Sequence, residues 1–321
     1  MGVSWTDAGQ TAAIVLAVPL GLYILFLLIG AIPYFQRLFV YAHIFNTLLW
    51  DNVDKPEKWG FALHGNAGHI ANGWRTDTYH SLTDTTSYHV LAIDYRGFGR
   101  SSGRPTEKGI ILDALTAVEW VMKTAEVPSE RIVLFGQSLG TAVASGVAEL
   151  CADDDLEFAG IILIAGFSKL PTMLTGYRIS GYVPVFGPFS WVPLTSRCLQ
   201  ALIYEKWPSE DRLARVVKRT KTRLRLTFIH AQNDMDIPCH ESDKLFRSAA
   251  SATLPDGLDP LEFESKKENG TTKWEKGAFR RIWTAEPNII ILQEQFPHGG
   301  HNRIMKFAPT LLAVMRSFDE E

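Results

Sequence analysis

From Trp59 to the C-terminus, short, mostly apolar runs alternate with longer stretches whose apolar positions recur every three or four residues. The short runs, at 59–63, 90–93, 131–135, 160–164, 224–229 and 288–292, predict β-strands without a polar face. Strands of that kind are buried on both sides, as in a parallel sheet. The periodic stretches at 107–124, 141–150, 241–250 and 304–318 predict helices between or after them. This rhythm predicts an α/β fold: a mostly parallel central sheet with helices on both faces and a site at the C-terminal ends of the strands. Two stretches interrupt it. Residues 169–222, rich in Pro, Gly and aromatics, predict a cap insertion over the site, whose apolar roof suits an acyl chain. Residues 258–286, dense in Lys and Glu, predict a solvated insertion.

The first part of the chain has a different texture. No charged residue lies between Asp7 and Arg37, and residues 14–32 are nearly all Leu, Ile, Val, Ala and Phe. About 20 apolar residues suffice to span a bilayer, so a transmembrane helix is predicted over about 11–33. A cleaved signal peptide would start with basic residues, and none occurs in residues 1–10. The predicted organisation is an N-terminal segment 1–36 with one span, a juxtamembrane linker 37–58, and an α/β domain 59–321. The aromatic stretch containing Tyr34, Phe35, Tyr41, Phe45 and Trp50 suits the membrane interface. Arg37 after the span favours a cytosolic domain, whereas the sequon Asn269-Gly-Thr271 favours a luminal one.

Composition narrows the chemistry. The net charge of −3 implies no nucleic-acid partner. Cys151, Cys198 and Cys239 are too few and scattered for a disulfide framework or zinc site, so no metal or other cofactor is implied.

Gly136-Gln-Ser138-Leu-Gly140 falls between the strand 131–135 and the helix 141–150. A serine on such a turn is lifted clear of the sheet, as a nucleophile must be. It needs a base and an orienting acid, which this elbow places in the order serine, acid, histidine. Asp234 and Asp236 follow the strand 224–229, and Asp234 is the preferred acid because it lies nearer the strand end. His298 and His301 follow the strand 288–292; His301, after Gly299-Gly300 and at the start of a helix, is the preferred base. Oxyanion donors are assigned to the backbone N–H of Leu139 and to that of Asn66 or Ala67 in the loop after the strand 59–63.

His64-Gly-Asn-Ala-Gly68, Asp94-Tyr-Arg-Gly-Phe-Gly99, Gly136-Gln-Ser-Leu-Gly140, His230-Ala-Gln-Asn-Asp234 and Gly299-Gly-His301 together resemble the α/β-hydrolase fold. More narrowly, they resemble its membrane-anchored lipases that cleave monoacylglycerols and lysophosphatidylserine. The resemblance implies Ser138, Asp234 and His301 as the triad, a structural role for the loop with Asp94, Arg96 and Gly97, and a single-pass protein of the endoplasmic reticulum or another endomembrane. It implies a lipid-ester substrate, the bilayer as partner, and an acyl-enzyme on Ser138. It also implies two strands before the His64-Gly65 loop; only a polar stretch precedes that loop, so the N-terminal edge strands are expected to be missing. Two rival readings are a protein depalmitoylase using the same triad and a non-catalytic membrane scaffold of hydrolase fold.

Overall fold

A computed structural model describes residues 20–41, 61–66, 68–85, 88–179, 183–184, 186, 192–254 and 260–319. Residues 20–30 are helical and are followed by α1 (Pro33–Tyr41). The domain then runs β1 (Phe61–Ala62), α2 (Gly73–Thr85), β2 (Leu91–Ala92), α3 (Glu107–Lys123), β3 (Val133–Gln137), α4 (Leu139–Asp153) and β4 (Gly160–Ile164). Next come α5 (Leu170–Thr175), the hairpin β5 (Arg178–Ile179) and β6 (Val183–Pro184), α6 (Pro193–Leu202) and α7 (Ser209–Arg219). β7 (Leu224–Ala231), α8 (His240–Ser251), α9 (Pro260–Asn269), β8 (Thr271–Lys273), β9 (Phe279–Ala285) and β10 (Ile289–Phe296) follow, before α10 (Gly300–Arg303) and α11 (Ala308–Ser317).

The strands β3, β4, β7 and β10 pair in parallel, and all five residues of β4 and all eight of β7 are buried. β1 pairs in parallel with β2 and joins β3 through one bridge, Leu63 to Gly136. Among the described residues the sheet order is therefore β2-β1-β3-β4-β7-β10-β9-β8. One apolar cluster joins α3, α4, α7 and α8 through Ile110, Val147, Leu213 and Leu245; a second collects Leu82 of α2 with Ala313 and Val314 of α11. These clusters contain residues from both faces of the sheet, such as Leu134 in the first and Phe135 in the second, so helices cover it on both sides.

Three sequence expectations change. The charged insertion is not merely solvated: β8 and β9 extend the sheet antiparallel to β10, and Trp283 is 1% exposed against Phe263. Along β9, exposed Ile282 and Thr284 flank buried Trp283, as in a strand with one covered face. Of the expected cap 169–222, α7 packs against α4 and α8 and so belongs to the layer covering the sheet. Residues 37–41, expected to open a linker, are helical and docked as part of α1. Gln36 Nε2 donates to the Leu202 carbonyl at 2.7 Å, Arg37 pairs with Glu205 at 2.6 Å, and Tyr41 is wholly buried beside Trp207 and Phe98. Tyr41 is thus a core residue, while Tyr34 and Phe35 are exposed and Phe45 and Trp50 lie outside the described residues.

Among the described residues no helix is long and apolar enough to cross a membrane. Residues 1–19, which hold part of the expected span, lie outside the described set, as do residues 42–60, where further edge strands would fall.

Candidate active site

Ser138 sits between the end of β3 and the first turn of α4 with φ 55° and ψ −119°. A non-glycine residue there carries backbone strain, which persists only when the surroundings enforce it. They do so here. Ser138 N donates to the Ile164 carbonyl at 2.9 Å, and a Cβ on Gly140 would collide with the Leu63 carbonyl. A Cβ on Gly136 would in turn strike the Gly140 backbone, so the crossing of β3, α4 and the β1 loop requires both glycines.

Asp234 lies beyond the C-terminal end of β7 and is buried, whereas Asp236 is exposed. Its Oδ1 accepts the backbone N–H groups of Asp236 and Ile237, each at 2.9 Å. Its Oδ2 lies 2.8 Å from His301 Nδ1 and 3.3 Å from His230 Nε2. Burial by itself would raise this carboxyl, but the hydrogen bonds from His230 and His301, with their charges, outweigh it and hold Asp234 well below the usual carboxylate range. His230 is 1% exposed and its Nε2 also lies 2.9 Å from the Ile237 carbonyl. The carbonyl requires a donor, so Nε2 carries the hydrogen that faces Asp234. His230, one residue past the strand expected over 224–229, was not singled out from sequence because nothing local marks it as a partner of Asp234.

His301 reaches Asp234 because Gly299 (φ 136°) and Gly300 (φ 55°) turn the chain sharply after β10. Asn233 Oδ1 accepts the Gly300 N–H at 2.8 Å, and Gln137 Nε2 donates to the His301 carbonyl at 3.1 Å and to Asn302 Oδ1 at 3.0 Å. Gln137 thereby ties the histidine loop to the residue preceding Ser138. His298 is exposed.

Ser138, His301, Leu139 and Asn66 line one cavity of about 470 Å³, with Phe167, Leu170, Met173, Leu174 and Tyr177 supplying an apolar wall from α5 and its flanks. Leu139 is the first residue of α4, where backbone N–H groups have no carbonyl partner within the helix. Ala67, the other oxyanion option, lies outside the described residues. Asp94 stays out of the cavity: its Oδ1 accepts the Ile70 N–H at 3.0 Å and Ser101 Oγ donates to its carbonyl at 2.6 Å. Arg96 forms an ion pair with Asp113 at 2.6 Å, so this loop braces its neighbours. Asp234, Asp236 and His301 bring donor atoms within 4.8 Å of one another, a metal-like grouping in which Asp234 and His301 are already bonded to each other. Chemically, an imidazole held by a buried carboxylate is equipped to deprotonate a neighbouring hydroxyl.

A family model described as alpha/beta hydrolase fold matches residues 62–195. The lysophosphatidylserine lipase ABHD12 of Xenopus tropicalis is 30% identical over 193 residues, which are 59% of this chain and 46% of that protein. Human protein ABHD12B is 31% identical over 193 residues, 59% of this chain and 49% of that protein. The chain spans about half the length of these curated relatives. Among solved structures, an alpha-beta hydrolase from Vibrio vulnificus superposes with a TM-score of 0.58 at 16% identity, covering 89% of this chain and 92% of the other. At that identity the likeness speaks to fold alone. This chain has the α/β-hydrolase fold and is homologous to the ABHD12 lysophosphatidylserine lipases and ABHD12B.

Proposed function

We propose that this chain is a membrane-anchored serine hydrolase that cleaves a monoacyl lipid ester, a monoacylglycerol or lysophospholipid, through an acyl-enzyme on Ser138. The observation that carries this reading is His301, bonded at 2.8 Å to the buried Asp234 and lining one apolar-walled cavity with the strained Ser138. The lipase names of the homologues point to the same substrate class.

In this mechanism His301 Nε2 takes the Ser138 proton as Oγ attacks the ester carbonyl carbon. Asp234, fixed as an anion by four N–H groups, holds Nδ1 protonated and leaves Nε2 free to act as base. The N–H groups of Leu139 and Asn66 hold the oxyanion. His301 then gives its proton to the departing alcohol, and a water activated by the same imidazole releases the fatty acid. The wall formed by Phe167, Leu170, Met173 and Leu174 takes the acyl chain.

Anchoring is supported by the helical residues 20–30, on which Leu20, Leu22, Ile24, Leu25, Phe26, Leu28 and Ile29 are all at least 40% exposed. A helix apolar on every side requires an apolar surround, and lipid provides one. An endomembrane such as the endoplasmic reticulum is the proposed location.

A fluorophosphonate probe tests the chemistry: wild-type protein is labelled and hydrolyses a monoacyl ester, and Ser138→Ala is neither labelled nor active. Label persisting in Ser138→Ala removes Ser138 as nucleophile. A folded wild-type protein that neither labels nor turns over any monoacyl ester favours the scaffold reading.

A further inference from the structure

Arg75 occupies an unfavourable place for an arginine. It is 2% exposed, it lies in the first turn of α2 where the helix dipole repels a cation, and no carboxylate comes within ion-pair distance among the described residues. Burial lowers its affinity for its proton, and its Nε has no hydrogen-bond partner among those residues. A buried cation offset only by neutral acceptors and the face of Trp74, 5.6 Å away, is costly unless its position serves something else.

Its remaining bonds indicate what that is. Nη1 donates to the His69 carbonyl at 2.8 Å and to Asn72 Oδ1 at 3.4 Å, and Nη2 donates to the Gly65 carbonyl at 3.2 Å. His64 Nδ1 also lies 2.8 Å from the Gly65 carbonyl oxygen, so Nδ1 carries a hydrogen and this oxygen takes two donors. Burial, and then the charge of Arg75, push His64 far below its ordinary range, so it remains a neutral donor. Gly68 makes room for the guanidinium, since a Cβ there would collide with it.

The Gly65 carbonyl and the Asn66 N–H belong to one planar trans peptide and point in opposite directions. Pinning the oxygen from behind therefore fixes the direction of the N–H in front. Both residues line the cavity, and a Cβ on Gly65 would lie 3.1 Å from Ser138 Cβ. We propose that Arg75 is a positioning residue of the oxyanion site, holding the Gly65–Asn66 peptide so that the Asn66 N–H faces a carbonyl oxygen of a substrate on Ser138. The inference rests on the serine-hydrolase reading above. The positive charge of Arg75, which lines the same cavity, adds to the potential at the developing oxyanion.

The test compares wild type with Arg75→Gln and Arg75→Lys in steady-state hydrolysis of a p-nitrophenyl ester, in inhibition by an arylboronic acid, and in far-UV circular dichroism. A boronate forms a tetrahedral adduct on serine and so reports the oxyanion site rather than general folding. Losing one oxyanion donor lowers turnover by roughly 10²–10³-fold, so Arg75→Gln is expected to lose about 10²-fold in kcat with KM changed less than threefold. Boronate affinity falls in parallel, and Arg75→Lys lies between the two. A folded Arg75→Gln with kcat within threefold of wild type overturns the proposal, as does a fall in kcat without loss of boronate affinity. Should Arg75→Gln fail to fold, Gly68→Ala displaces the guanidinium while keeping the arginine, and the same criteria apply to it. Wild-type protein inert to ester and to fluorophosphonate would remove the underlying reading and this proposal together. Labelled wild type with an Arg75→Gln of undiminished turnover removes this proposal alone.

Discussion

The two sides of Ser138 are built differently. On the side of the acid and histidine, β7 and β10 pair over eight residues each and deliver Asp234 and His301 from the ends of long strands. On the oxyanion side, β1 and β2 are two residues each and meet the rest of the sheet at one bridge. There, among the described residues, polar side chains hold the backbone where the ladder is short: Arg75 on the carbonyls of Gly65 and His69, His64 on Gly65, and Asp94 on the Ile70 N–H. A long ladder spreads the cost of any one lost bond over many others. A loop held by a few side chains concentrates it, so the same geometric demand is met with less redundancy.

Four measurements sharpen or break this contrast. The largest effect is expected from Asp234→Asn, which keeps the shape but stops fixing the imidazole tautomer; turnover should fall by about 10⁴-fold. Asp234 also links folding to pH. Its folded pKa lies below its unfolded value of about 4, so its contribution is complete at neutral pH and is lost as pH falls below about 4. The stability gap between wild type and Asp234→Asn in denaturant unfolding should therefore narrow from pH 7 to pH 3; a constant gap contradicts the burial and bonding of this carboxylate.

Next comes Trp283→Ala on the far edge, where removal of a buried tryptophan should cost about 3–5 kcal/mol in unfolding free energy. The kcat of the folded fraction should stay unchanged, because the ladder between β9 and the site absorbs the loss. A smaller cost, about 1–3 kcal/mol, is expected from Gly140→Ala, whose Cβ pushes Leu63 away. Here kcat should fall as well, since the same backbone carries the oxyanion loop. Equal effects of the two substitutions on kcat would erase the distinction between the sides. The smallest effect is in native-state hydrogen exchange: amides of β1 and β2 should exchange faster than those of β4, β7 and β10.

Much of the acid–histidine side was legible from sequence because it is local. Mostly apolar runs announce buried parallel strands, and the glycines around Ser138 and before His301 mark turns with few alternatives. The choice of Asp234 over Asp236 followed from its place one step nearer the strand end, and the structure puts Asp234 against His301 and leaves Asp236 exposed. The oxyanion side was legible only as a loop. Nothing in Gly73-Trp-Arg75 distinguishes a buried clamp from a solvated arginine on a helix of mixed composition.

Hydrophobic periodicity and turn chemistry thus determined the α/β-hydrolase order of elements and the loops that carry Ser138, Asp234 and His301, because both are written in neighbours within a few positions. Tertiary structure alone decided that Trp283 and β9 extend the sheet, that α1 docks through Gln36, Arg37 and Tyr41, that Arg75 is buried against the Gly65 carbonyl, and that His230 faces Asp234. Each of those depends on polar or aromatic contacts between segments distant in the chain. Such contacts have no period, and whether a charge is buried or solvated is settled only when its partners arrive.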